Sequence, residues 1–216
     1  MNILIQLPGV RLGLVEADGV TVVPSGAELL REMDVECTRL RQRYTLESLA
    51  ESESIISVRA MFRKWSVDAS KYRPSSEALL RRVIQGKGFH HVSNIVDLTN
   101  LSSVETGWPY GVYNRAKISL PVILRLGAAH ERYDGIGRRV WHLAGRPVLA
   151  DAEGPFGSPI SDSTRSQVVE GLTEVLTVIY APAGTSDAAL EVAAKKQAAR
   201  LSAFAGASGT RTCIIG

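Results

Sequence analysis

The sequence predicts an α+β fold, and three observations carry that prediction. Helical-period and strand-like segments alternate irregularly, with no repeating βαβ unit. Helix punctuation is explicit, with glycine just past several amphipathic runs and serine or proline just before them. The stretch from Asn94 to Gly107 carries Ile95, Val96, Leu98, Leu101 and Val104 nearly all the way round a helix. A helix apolar on every side is an interior one, about which the other elements pack.

In chain order, residues 3–23 read as strand. Arg11–Val15 and Val20–Val23 flank Glu16-Ala17-Asp18-Gly19, and Asp-Gly between valine-bearing runs predicts a hairpin. Ser25-Gly26-Ala27-Glu28 has capping-box spacing, which starts a helix near Gly26 bearing Leu29, Leu30 and Met33. Ile55, Val58, Phe62 and Trp65 recur at helical spacing across 54–65, with Arg59, Arg63 and Lys64 opposite. Pro74 and Gly86 bracket a helix over 76–85 that buries Leu80, Val83 and Ile84. After the interior helix, Trp108-Pro109-Tyr110-Gly111 cannot continue it and reads as a tight aromatic turn. Ile118–Leu126 is a strand; Arg139–Leu143 and Pro147–Asp151 alternate around Ala144-Gly145-Arg146 as a second hairpin. Residues 154–163, rich in glycine, proline and serine and without periodicity, are a loop. Leu172–Ala181 is a strand, Ser186 caps a helix running to Ala205 and closed by Gly206, and Arg211–Ile215 is a last short strand.

Composition narrows the function. With 216 residues, 45% hydrophobic and 22% charged, the chain supports a sizeable core and is not disordered. Cys37 and Cys213 stand far apart with no C-x-x-C, which speaks against a disulfide scaffold or zinc site and for a reducing cytoplasm. The opening Met1–Pro8 lacks the positive segment of a signal peptide, and no apolar run is long enough to span a membrane, so no membrane partner is expected. The net charge of +3 is small, but between Arg39 and Lys87 there are 11 lysines and arginines against 5 aspartates and glutamates, an excess able to track phosphates or simply to solvate a helical face. None of His90, His91, His130 and His142 has metal-ligand spacing, so neither metal nor cofactor is predicted. A nucleophile elbow and a Walker loop are both absent.

What remains is a buried polar set. Asp97, Asn100 and Ser103, three apart on the interior helix, are drawn inside, where polar groups are costly unless hydrogen-bonded. They either pin the Trp108–Tyr110 turn or floor a pocket that the aromatic loop rims. Arg125, at a strand end, pairs with a buried acid such as Asp97 or Asp151, or anchors a substrate anion. Gly154, Gly157 and the Ser158 amide offer either a plain turn or a cradle for an ester oxygen. Asp162, Ser163 and Arg165 supply a polar rim.

Val96-Asp97-Leu98-Thr99-Asn100 followed by Val104-Glu105-Thr106-Gly107-Trp108-Pro109 resembles the B3/B4 domain of the phenylalanyl-tRNA synthetase beta chain, and more closely the stand-alone B3/4 proteins. Tyr72–Arg82 and Gly154-Pro155-Phe156-Gly157-Ser158-Pro159 with Asp162-Ser163 extend the resemblance over about residues 55–185. The resemblance implies a layered β-sandwich of unusual topology flanked by helices, with residues 1–50 as a docked extension and 51–216 as the B3/B4-like domain. It also implies hydrolysis of wrongly charged aminoacyl-tRNA, with the amino acid held in a pocket built from 94–114 and 154–165. The catalytic candidates are then Asp162, Asn100 and Ser103. Tyr110, Gly111, Tyr113, Arg125, Gly154, Phe156, Gly157, Ser158, Ser163 and Arg165 are expected to bind substrate. Gly111 stands where the family motif has histidine and Asn114 where it has aspartate, so the pocket carries over better than the catalytic groups. Two readings follow: a trans-acting editing deacylase, or a non-catalytic module binding an amino acid or aminoacyl-tRNA.

Overall fold

A computed structural model describes residues 1–137 and 139–216. The elements are β1 (Ile3–Ile5), β2 (Val10–Val22), α1 (Ala27–Arg43), α2 (Leu46–Ala50), α3 (Glu53–Lys64), α4 (Ser75–Ile84), α5 (Asn94–Thr106), β3 (Tyr110–Asn114), β4 (Val122–Leu126), β5 (Arg132–Gly135), β6 (Arg139–His142), β7 (Pro147–Asp151), β8 (Gly154–Gly157), β9 (Gly171–Pro182), α6 (Asp187–Ala205) and β10 (Gly209–Ile215). The α+β expectation holds. Two four-stranded sheets, β1-β4-β7-β8 and β10-β2-β9-β3, stand beside a two-stranded ribbon, β5-β6.

Side-chain alternation turns these strands into layers. From the second sheet, Leu12, Leu14, Tyr113, Leu176, Val178 and Tyr180 meet Ile3, Val122, Leu124, Leu149 and Phe156 of the first in one buried core, which α3 joins through Val58, Met61 and Phe62. Val15, Ala17, Val175, Ile179 and Ala181 point the other way and pack under α1, α4, α5 and α6. The second sheet is therefore the middle layer, buried on both faces, with a sandwich on one side and helices on the other. No helix among the described residues is long and apolar enough to cross a membrane.

Several elements differ from the sequence reading. The expected hairpin at Glu16–Gly19 is a single 13-residue strand, β2. Asp18-Gly19 forms a bulge there, where the register against β9 shifts between Ala17 and Val20 and Gly19 takes φ +63°. The extra residue restores the phase, so that Val20 and Val22 stay on the helical face with Val15 and Ala17. The Ser25 capping box does not form: α1 starts at Ala27 with Gly26 as N-cap and no side-chain cap, because the Ser25 hydroxyl bonds Asp97 instead. Trp108–Gly111 is no tight turn; Tyr110 opens β3, which pairs with β9. The second hairpin is paired otherwise: β6 joins β5, and β7 lies between β4 and β8. Residues 154–157, read as loop, are strand β8, held by backbone pairing to β7 despite their poor strand propensity. Helices α3, α4, α5 and α6 and strands β9 and β10 fall where the sequence put them.

Residues 1–50 supply β1, paired with β4, and β2, interior to the middle sheet between β10 and β9.

Candidate functional site

The interior helix α5 is built as expected. Ser93 caps it by accepting from the Val96 amide, and Gly107, at φ +75°, closes it. Its buried polar groups are all engaged. Asn94 Nδ2 donates to the Thr21 and Phe204 carbonyls, both at 2.9 Å, while Oδ1 accepts from the Val23 and Ile95 amides. Asp97, fully buried, accepts from the Ser25 hydroxyl at 2.6 Å and the Val92 amide at 3.1 Å, with His91 Nδ1 3.0 Å away. Asp97 therefore ties the helix to the 91–92 segment and the start of α1, not to the aromatic stretch. Ser103 does that, donating to the Trp108 carbonyl at 2.7 Å. Asn100 is half-buried.

The expected catalytic residues are not brought together. Asn100 and Ser103 lie on α5, on the helical face of the middle sheet. Asp162 lies on the sandwich face, where the Tyr113 hydroxyl donates to its Oδ1 at 2.8 Å and the Ser158 amide at 3.1 Å. The sheet separates them, so no one site holds all three. Tyr110 and Tyr113 likewise point to opposite faces of β3, Tyr110 among the helices and Tyr113 into the sandwich.

The stretches 94–114 and 154–165 do meet, at Tyr113 against Phe156, with ring centres 5.1 Å apart in an edge-to-face arrangement. They meet in packed core. Tyr113 and Phe156 are fully buried, and the Tyr113 ring lies over Gly111 of its own strand and Gly157 of the facing sheet. A Cβ at either glycine would fall inside van der Waals contact of that ring. The missing side chains are what admit the phenol between the sheets.

Around Asp162 gathers a phenolic cluster that the sequence reading missed. The Tyr180 hydroxyl is 3.2 Å from that of Tyr113, and the Tyr133 hydroxyl donates to the Ser161 carbonyl and lies 3.3 Å from Ser158 Oγ. The alternation Leu176-Val178-Tyr180 would have put Tyr180 on this face; its pairing with Tyr113 had no sequence signal. Asp162 as a residue keeps partial exposure, but its carboxyl is enclosed, and that burial pushes its pKa up to about 7 against the two hydrogen bonds that favour the anion. Burial pushes the phenols of Tyr113, Tyr180 and Tyr133 upward as well.

The remaining candidates are scattered. Arg125 forms a two-pronged pair with Glu131 at 2.7 Å, not with Asp97 or Asp151. Arg165 takes Asp151, at 2.9 and 3.1 Å, and donates to the Gly154 carbonyl. Ser163 donates its amide to the Phe156 carbonyl, and its hydroxyl caps the short turn at 164–166. Arg165 and Ser163 border a surface hollow of about 410 Å³ that Lys117 and Arg132 also line.

A second hollow, about 500 Å³, opens where α3 faces the loop before α6. Ser54, Ser57, Met61 and Lys64 line it along one stripe of α3, the segment from Pro182 to Ser186 forms the opposite wall, and Thr106 and Trp108 of the motif reach it. It has the size of a small-ligand site and the mixed lining of one: an indole, several hydroxyls, an ammonium and the carboxyl of Glu53.

No curated protein matches the chain. Among solved structures, an N-terminal fragment of the phenylalanyl-tRNA synthetase beta-subunit from Pyrococcus horikoshii aligns over 99% of this chain at 14% identity and a TM-score of 0.44. The chain spans 50% of that fragment's length. The family model for the B3/4 domain matches residues 58–201, from within α3 to the last turn of α6, and so takes in α5, the Tyr113–Asp162 cluster and two of the four strands of the middle sheet, β3 and β9. The chain belongs to the B3/4 domain family.

Proposed function

We propose that this protein is a binding module for the aminoacyl end of a charged tRNA, which it holds without cleaving the ester. Membership of the B3/4 family and the resemblance of residues 96–109 to the synthetase editing domain support the RNA-linked substrate class. One observation carries the choice of binding over hydrolysis: the Tyr113 ring fills the interior between Gly111 and Gly157, and the middle sheet divides Asp162 from Asn100 and Ser103. Ester hydrolysis needs a water, oxyanion donors and a base converging on one carbonyl, and these groups do not converge. The hollow reached by Trp108 suits an aminoacyl or terminal-nucleoside group, with the indole as a stacking face and Lys64 as a cation.

The test compares tRNA with and without its amino acid. The expected result is saturable, amino-acid-dependent binding that Trp108→Ala weakens, with ester lifetime unchanged by the protein. A single observation favours the deacylase instead: Asp162 carries the pKa of a general base working near neutrality. Accelerated ester loss that Asp162→Asn abolishes would establish that reading and defeat the first.

A further inference from the structure

Away from both hollows, five side chains from three parts of the chain stand in one series. Lys71 Nζ is 5.4 Å from the ring centre of Tyr72. The Arg146 guanidinium is 3.9 Å from that ring and 5.9 Å from the ring of Trp141. Arg139 completes the series 4.8 Å from Trp141. The order is cation, ring, cation, ring, cation. Arg146 also donates to the Tyr72 hydroxyl at 2.7 Å.

Three features distinguish this column from ordinary surface charge. Among the described residues, none of its cations is salt-bridged; Glu131, next to β5 in sequence, is committed to Arg125. Asp134, on β5, pairs in register with Val140 and so lies on the opposite ribbon face from Arg139 and Trp141. The column is also held in place. Trp141 lies across Gly135, where no Cβ obstructs it, and each guanidinium is stacked on an indole or phenol. Finally, Lys71 and Arg139 are exposed, while Tyr72, Trp141 and Arg146 are half-buried, so the edge of the column is open to a ligand. Stacked arginines lose less freedom on meeting an anion, and their planar faces accept a base as readily as their edges accept a phosphate.

We infer that this column is a docking track for single-stranded RNA. Alternating cations and rings match a chain that alternates phosphates with flat bases; a duplex hides its base faces, and an acidic peptide offers charge without rings. The choice of RNA rests on the proposed tRNA-linked function; the column itself does not depend on the hollow at Trp108.

The test measures binding of a labelled, unstructured RNA oligonucleotide to the full chain at rising salt, with wild type, Lys71→Gln and Arg139→Gln. Both variants change exposed side chains, and an unchanged melting temperature verifies that the fold persists. The expected result is wild-type affinity that falls linearly with salt on logarithmic axes, about three- to tenfold weaker binding in each variant, and a salt slope shallower by about one. Polyglutamate should compete poorly at equal charge. Variants that bind as wild type, or polyglutamate competing as well as RNA, would overturn the inference. If the variants lose the oligonucleotide while discrimination of charged from uncharged tRNA never appears, the track stands and the proposed function fails; intact discrimination with unchanged variants gives the reverse.

Discussion

The middle sheet buries polar groups on both faces, and the two faces treat them differently. On the helical face the acids are matched: Asp97 accepts from the Ser25 hydroxyl and the Val92 amide, and Arg200 holds Glu105 through two bonds of 2.7 and 2.9 Å. Burial alone would raise Glu105, but its bonds to Arg200 and Lys196 bring its pKa below the ordinary carboxylate value. On the sandwich face Asp162 accepts from one phenol and one amide and, among the described residues, pairs with no cation, and its pKa rises. The Asp162 carboxyl is the more deeply enclosed, and it lacks the cation that Glu105 has. A buried carboxyl in the sequence therefore does not by itself mark a site, and the one left without a countercharge is the one whose ionisation is open to change.

The contrast can be broken most forcefully on the helical face. Asp97→Ala strips partners from the Ser25 hydroxyl and the Val92 amide at once, and should cost about 3–4 kcal/mol in urea unfolding. A loss under about 1 kcal/mol would mean that the bonds to Asp97 do not hold the helical face together. On the sandwich face, Gly157→Ala drives a methyl into the Tyr113 ring and should cost about 3 kcal/mol; most of that should vanish in a Tyr113→Leu background, which a double-mutant cycle reads directly. Persistence of the full penalty without the phenol would show that Gly157 is needed for another reason.

The Asp162 carboxyl sharpens the comparison through pH. Its folded pKa of about 7 lies above the ordinary value of 3.8, so the folded protein keeps a proton that the unfolded chain releases across that interval. Stability should decline as pH rises through this window and level off above it. Asp162→Asn retains an acceptor for Tyr113 and Ser158 without the ionisation, and should be more stable than wild type at pH 8 by about 2 kcal/mol, with the two converging at low pH. Parallel pH profiles for the two proteins would contradict the assigned pKa. The smallest effect is expected at Asn100→Ala: half-buried and on the far side of the sheet from Asp162, it should change stability by less than about 0.5 kcal/mol and leave the Asp162 profile unmoved.

The sequence discloses what is local. Gly107, Gly206, Ser186 and Pro74 marked helix ends because caps act within a few residues, and the apolar girth of α5 announced its burial. It concealed what depends on distant pairing. Asp18-Gly19 carries the same local signal whether the chain turns or bulges, and only β9 and β10, more than half the chain away, decide. Gly154–Gly157 is strand only because β7 lies beside it. For the site, strand β8 and the aromatic stretch touch at Phe156 and Tyr113. That their meeting place is filled by Tyr113 depends on the absence of two Cβ atoms on different sheets, which no linear pattern displays.

The bonds from Asn94 and Asp97 reach Thr21, Val23 and Ser25, all upstream of residue 50. The signature-bearing helix is thus sewn to a portion of the polypeptide that carries no signature. Trimming the chain to its recognisable part would leave α5 with orphaned donors and β9 without its neighbour β2. Grafting that part elsewhere would require a substitute for those first strands.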